Sequence, residues 1–91
     1  MRFLVIVHYT DPAARERAVA GHRAYLAEAR TNGVVVESGP FLDGKGGMYV
    51  LQMPDESAAQ AFVEADPYRK AGLRLELRAF DSAIEKRDGR A

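Results

Sequence analysis

Phe3-Leu4-Val5-Ile6-Val7, followed by Thr10-Asp11-Pro12, is the stretch whose reading decides the fold. A continuous apolar run of this length predicts a strand covered on both faces. Thr10-Asp11-Pro12 closes it and opens a helix. The Asp11 carboxylate is placed to accept from free backbone N–H groups, and Pro12 suits the first helical position. The helix is expected to run to about Arg30 and to stop near Asn32-Gly33, where glycine takes a left-handed conformation. Along it, Ala18, His22, Tyr25 and Ala29 recur at helical spacing with Val19 and Leu26 beside them, while Arg15, Arg17, Arg23 and Glu28 mostly decorate the other faces.

Working outward, Val34 to Glu37 reads as a β-branched strand continuing through Ser38-Gly39-Pro40-Phe41, with a bulge or edge position at Gly39-Pro40. Asp43-Gly44-Lys45-Gly46-Gly47 predicts a hairpin turn into a third strand, Met48 to Met53. Pro54-Asp55-Glu56-Ser57 starts a second helix whose buried stripe is expected at Ala58, Ala61, Phe62 and Ala65. Leu73 to Phe80 alternates as an edge strand does, with Leu73, Leu75, Leu77 and Ala79 on one side. The order is βαββαβ, an α+β ferredoxin-like plan. Right-handed crossovers put both helices on one face of a four-stranded antiparallel sheet, with strands one and three central. The apolar residues on the uncovered face of those central strands predict a homodimer packed sheet to sheet. Residues 1–82 are expected to form a single domain and residues 83–91 a polar tail that frays.

Hydrophobic residues make up 47% and charged residues 29% of the 91, as in an ordinary soluble domain. Thirteen basic and thirteen acidic side chains cancel. A neutral domain has no long-range field for a polyanion, which argues against nucleic acid and acidic membrane surfaces as partners. No run is long enough to cross a bilayer. The absence of cysteine removes thiolate chemistry and sulfur metal sites, and fits a cytoplasmic location.

Two residues carry the most plausible chemistry. His22 lies in the apolar stripe of the first helix, and Asp66 lies in Asp66-Pro67-Tyr68, where the second helix must stop. An imidazole serves as a general base or acid near neutral pH. The same position also suits a core histidine bonded to a backbone carbonyl. Asp66 has a structural reading of its own. A residue before proline is pushed out of the α region, so Asp66 can cap a short turn from Pro67 to Ala71 that Gly72 ends. Gly21 makes room for a ligand or for close packing. His8, at the end of strand one, is expected to face solvent or a subunit interface. The two histidines lack a short ligand spacing, so neither a metal nor any other cofactor is expected. Ser38 lacks the elbow turn of a serine nucleophile.

Arg17, His22 and Leu26, then Ser38-Gly39-Pro40, then Asp66-Pro67-Tyr68 followed by Ala71-Gly72-Leu73, together resemble the YciI-like (YCII-related) proteins. The resemblance spans roughly residues 2–80 and is similar to the dimeric α+β barrel group, which includes muconolactone isomerases. It implies a His–Asp site in a cleft of each subunit, carried here by His22 and Asp66. Arg17, Tyr25, Ser38 and Tyr68 are the substrate-binding candidates beside it. The activity implied is cofactor-free proton transfer on a small cyclic or aromatic substrate, giving elimination of the dehydrochlorinase kind or isomerisation. The alternative is a non-catalytic module that binds a small molecule or a partner, with His22 structural.

Overall fold

A computed structural model describes residues 1–85. The elements are β1 (Arg2–His8), α1 (Pro12–Thr31), β2 (Val35–Pro40), β3 (Gly46–Gln52), α2 (Glu56–Glu64), α3 (Pro67–Lys70), β4 (Arg74–Phe80) and a last turn, α4 (Ala83–Glu85). Of the polar tail expected over 83–91, residues 86–91 lie outside the described residues.

The sheet is antiparallel, ordered β2-β3-β1-β4, so β1 and β3 are the central strands. Because side chains alternate along a strand, Phe3, Val5 and Val7 share one face of β1. All three are buried, together with Tyr49 and Leu51 of β3 and Leu75 of β4. Ala14, Leu26 and Ala29 of α1 and Ala59 and Val63 of α2 complete the same core. Both long helices therefore cover one face. Each starts on an aspartate: Asp11 accepts from the Ala14 N–H at 3.1 Å and Asp55 from the Ala58 N–H at 2.8 Å.

The other face carries Leu4 and Ile6 of β1, cross-strand from Val50 and Met48 of β3. His8 also lies there, its Nε2 2.8 Å from Glu76 Oε1. Among the described residues no helix is long and apolar enough to cross a membrane.

Of the bulge or edge position expected at Gly39-Pro40, the structure shows the edge position, and two other local expectations are corrected. The irregularity in β2 falls between Val35 and Glu37, leaving Val36 unpaired. Pro40 is accommodated because β2 is an edge strand, where a missing N–H is tolerated. The β3 strand begins at Gly46, inside the expected turn. A Cβ on Gly46 would stand 2.2 Å from the Val7 carbonyl oxygen, so glycine is what lets β3 approach β1 there. The buried stripe of α2 is Ala59, Phe62 and Val63, one register on from Ala58, Ala61 and Ala65; Ala61 is exposed. Both faces hold Phe62 and are otherwise nearly equivalent by periodicity, and the larger Val63 determines which one turns inward.

Candidate functional site

The site is assembled at the end of α2. Pro67 excludes the helical conformation at Asp66, whose backbone is extended (φ −64°, ψ 128°). The carboxylate then turns back over the start of α3, where Oδ1 accepts from the Tyr68 N–H at 2.9 Å. Gly72, at φ +94°, ends this short helix in the left-handed region. Across from it, α1 runs alongside α3: a Cβ on Gly21 would lie 3.5 Å from the Pro67 ring, an ordinary contact distance, so the packing does not require glycine there. This approach of α1 to α3 brings His22 over the cap.

His22 Nδ1 lies 2.8 Å from Asp66 Oδ1. The Tyr49 hydroxyl, rising from the helix-facing side of β3, donates to Asp66 Oδ2 at 2.8 Å. Both carboxylate oxygens thus act as acceptors, and Nδ1–H donates. In a neutral ring this leaves the lone pair on Nε2. Among the described residues no protein group bonds Nε2. The imidazole is stacked on the Tyr68 ring, with centroids 3.8 Å apart and planes 14° from parallel. Its orientation is therefore held twice, by the carboxylate and by the tyrosine face. Asp66 is 0% exposed, while the His22 side chain keeps 11% of its surface accessible.

Burial, followed by the charge of Asp66, pushes the Tyr49 hydroxyl far above its ordinary value, so it remains a donor. Burial likewise raises the Tyr68 and Tyr25 hydroxyls. For Arg15, burial works against the charge, but the Tyr9 and Tyr68 hydroxyls outweigh it and the net shift is upward.

His22 lines a cleft of about 230 Å³ between α1 and the β2–β3–β1 part of the sheet. Ser38 and Tyr68 line it too. Ser38 Oγ accepts from Arg30 Nη2 at 2.6 Å. Two other residues expected to bind substrate lie elsewhere. Arg17 is exposed and outside the lining, because at about 100° per residue it sits about 140° around α1 from His22. Tyr25 faces α2, where its hydroxyl donates to the Phe62 carbonyl at 2.7 Å. In their place the cleft holds Arg15, Arg23 and Arg30, together with Tyr9 and Tyr49. The sequence carried a signal for the arginines: positions 15, 23 and 30 all fall within about 100° of His22 on the helical wheel. The expectation that Arg15 and Arg23 decorate the other faces is corrected: both line the cleft. Tyr49 had no local signal, since it sits in an apolar strand. Among the described residues no three His, Asp or Glu side chains cluster as a metal site requires.

A ferredoxin-like α+β domain with an imidazole–carboxylate pair beside a cleft is the class this geometry defines. The chain belongs to the YCII-related domain family, which matches residues 1–81. Several solved structures share its fold. One is similar over 93% of this chain and 98% of its own, with a TM-score of 0.77 and 23% identity: 5-chloro-2-hydroxyhydroquinone dehydrochlorinase (TftG) from Burkholderia phenoliruptrix AC1100, in complex with 2,5-dihydroxybenzoquinone. A muconolactone isomerase is similar over 90% of each chain, with a TM-score of 0.73 and 15% identity. An antibiotic biosynthesis monooxygenase follows at a TM-score of 0.52 and 12% identity, covering 90% of this chain and 100% of its own. At these identities the likeness establishes the fold. No curated protein sequence matches the chain.

Proposed function

We propose that this protein is a cofactor-free enzyme in which His22, oriented by Asp66, moves a proton on a small cyclic or aromatic substrate. The observation that carries the reading is the 2.8 Å contact between His22 Nδ1 and a fully buried carboxylate. That contact directs the other ring nitrogen to act as the base. Nε2 takes a proton from a substrate carbon, and the C–H electron pair forms a new double bond. In an elimination, a leaving group departs with its own bonding pair. In an isomerisation, the double bond shifts and Nε2–H returns the proton to a second carbon. Neither needs a redox partner. The dehydrochlorinase and isomerase activities of the structural neighbours support this class of chemistry. Asp66 positions the ring and compensates the imidazolium formed in the reaction, with Tyr49 and the Tyr68 N–H holding it in place.

The test is a turnover screen of hydroxylated and halogenated aromatics and of lactones with the parent protein and His22→Asn. The parent is expected to turn over at least one, and His22→Asn to be slower by about 10²–10⁴-fold, the usual range for a general base. Equal turnover by the two would remove the base role.

A sheet-to-sheet homodimer belongs to the same proposal. Leu4, Val50, Arg78, Ala79 and Phe80 form a second hollow of about 250 Å³ on the face opposite α1 and α2. Phe80 remains exposed beside it. A second copy would bury this apolar surface. A cytoplasmic location accords with the absence of cysteine.

A further inference from the structure

We propose that the cleft selects a small single-ring organic anion, ionised as a carboxylate or phenolate at neutral pH, with Arg15, Arg23 and Arg30 as its specificity-determining residues. The inference rests on the reading of His22 as the group facing the substrate, and names the substrate class for that site.

The sign of the lining comes first. Among the described residues three guanidinium groups line the cleft and no carboxylate does. Composition does not require this, since acidic and basic side chains are equal in number. The acids of α1 do not neutralise the arginines: Glu16 and Glu28 are exposed and outside the lining. Among the described residues none of the three arginines is in an ion pair. Asp66, the carboxylate behind the imidazole, already accepts from Tyr49, Tyr68 and His22. Like charges gathered on one helix face repel, and an anion between them turns that repulsion into attraction.

The hydrogen bonding agrees. Arg15 Nε is buried and bonded to no protein atom among the described residues. Its guanidinium is held over the Tyr9 ring, 4.5 Å from the centroid. Arg30 is held by Ser38, whose own O–H remains available to donate to a ligand oxygen. Arg15 stands about two turns before His22 on α1 and Arg30 about two turns after it. The cations therefore bracket the imidazole. Negative charge that moves onto a substrate oxygen as Nε2 takes the proton would develop beside a guanidinium.

The size of the cavity sets the upper bound. A volume of 230 Å³ lies below the roughly 300–1,000 Å³ of sites for drug-sized ligands, which leaves room for one ring and its substituents.

Calorimetric titration of the full chain with benzoate and benzamide, and with 4-nitrophenolate and 4-nitroanisole, tests the proposal through matched anionic and neutral probes. It is run on the parent protein, His22→Asn, Arg15→Gln, Arg23→Gln and Arg30→Gln, each checked for native circular dichroism. Arg23 and Arg30 are exposed, so their variants keep the measurement available if Arg15→Gln fails to fold. The expected result is that at least one anion binds about tenfold or more tightly than its neutral counterpart, a preference that shrinks in the arginine variants and weakens with added salt. His22→Asn is expected to retain the preference. Failure of every anion to outbind its neutral counterpart, or an unchanged ratio in all three arginine variants, would overturn it. An anion preference that survives while His22→Asn turns over as fast as the parent would defeat the base role alone.

Discussion

Asp66 accepts three hydrogen bonds from groups brought by α1, β3 and α3, and its consequences are first of all those of one side chain. Replacing it with asparagine sets an amide donor against one of those three donors. Asp66→Asn should therefore lose about 1–3 kcal/mol of stability in urea unfolding, the penalty of an unmet buried group. It should also lose turnover well beyond what the remaining folded fraction explains, because the ring tautomer is no longer imposed. Tyr49 makes a separate prediction about pH. Its hydroxyl is pushed above the ordinary value of 10.0, so above that pH the unfolded chain gives up this proton before the folded one does. The folded state then holds more protons, and stability falls as pH rises. Stability should be level through neutrality with respect to this group and decline above about pH 10. Tyr49→Phe should flatten that decline in denaturation midpoints measured from pH 8 to 11.

Elements meet most tightly where β3 begins. A methyl group on Gly46 would collide with the Val7 carbonyl, whereas one on Gly39 meets nothing within 4 Å. Gly46→Ala should destabilise by about 3 kcal/mol or more, at the upper end of overpacking penalties. Gly39→Ala should stay within about 0.5 kcal/mol, so the two urea curves together separate close approach from a general effect of removing glycine. Removal of the α1 cap by Asp11→Ala should cost about 1 kcal/mol. At this scale much was legible beforehand. The caps at Asp11 and Asp66, the stop at Gly72 and the central position of β1 and β3 all follow from short-range chemistry. The rotation of α2 did not, because alanines at 58, 59, 61 and 65 leave periodicity nearly undecided. The bulge at Val36 has no signature in a run of three valines.

At the scale of the whole molecule, α1 and α2 pack on one sheet face, and Leu4, Ile6, Met48 and Val50 run along the middle of the other. If a second copy covers it, the protein sediments as a dimer at micromolar concentration, and Val50→Arg shifts it to monomer while the circular dichroism stays native. A parent protein that sediments as a monomer would sink the sheet-to-sheet assembly.

By itself the sequence determined the order of elements, their caps and the pairing of two crossovers into a four-stranded sheet, because periodicity, proline and glycine act over a few residues. It also marked His22 and Asp66 as groups able to meet. Tertiary structure decided how they meet, 44 positions apart. It brought Tyr49 to the second carboxylate oxygen, turned Tyr25 toward α2, left Arg17 outside and drew Arg15, Arg23 and Arg30 into the cleft. Those outcomes depend on how far α1 is rotated about its axis against the sheet. That angle is set by the packing of Ala14, Leu26 and Ala29 in the core, contacts between segments far apart in the chain.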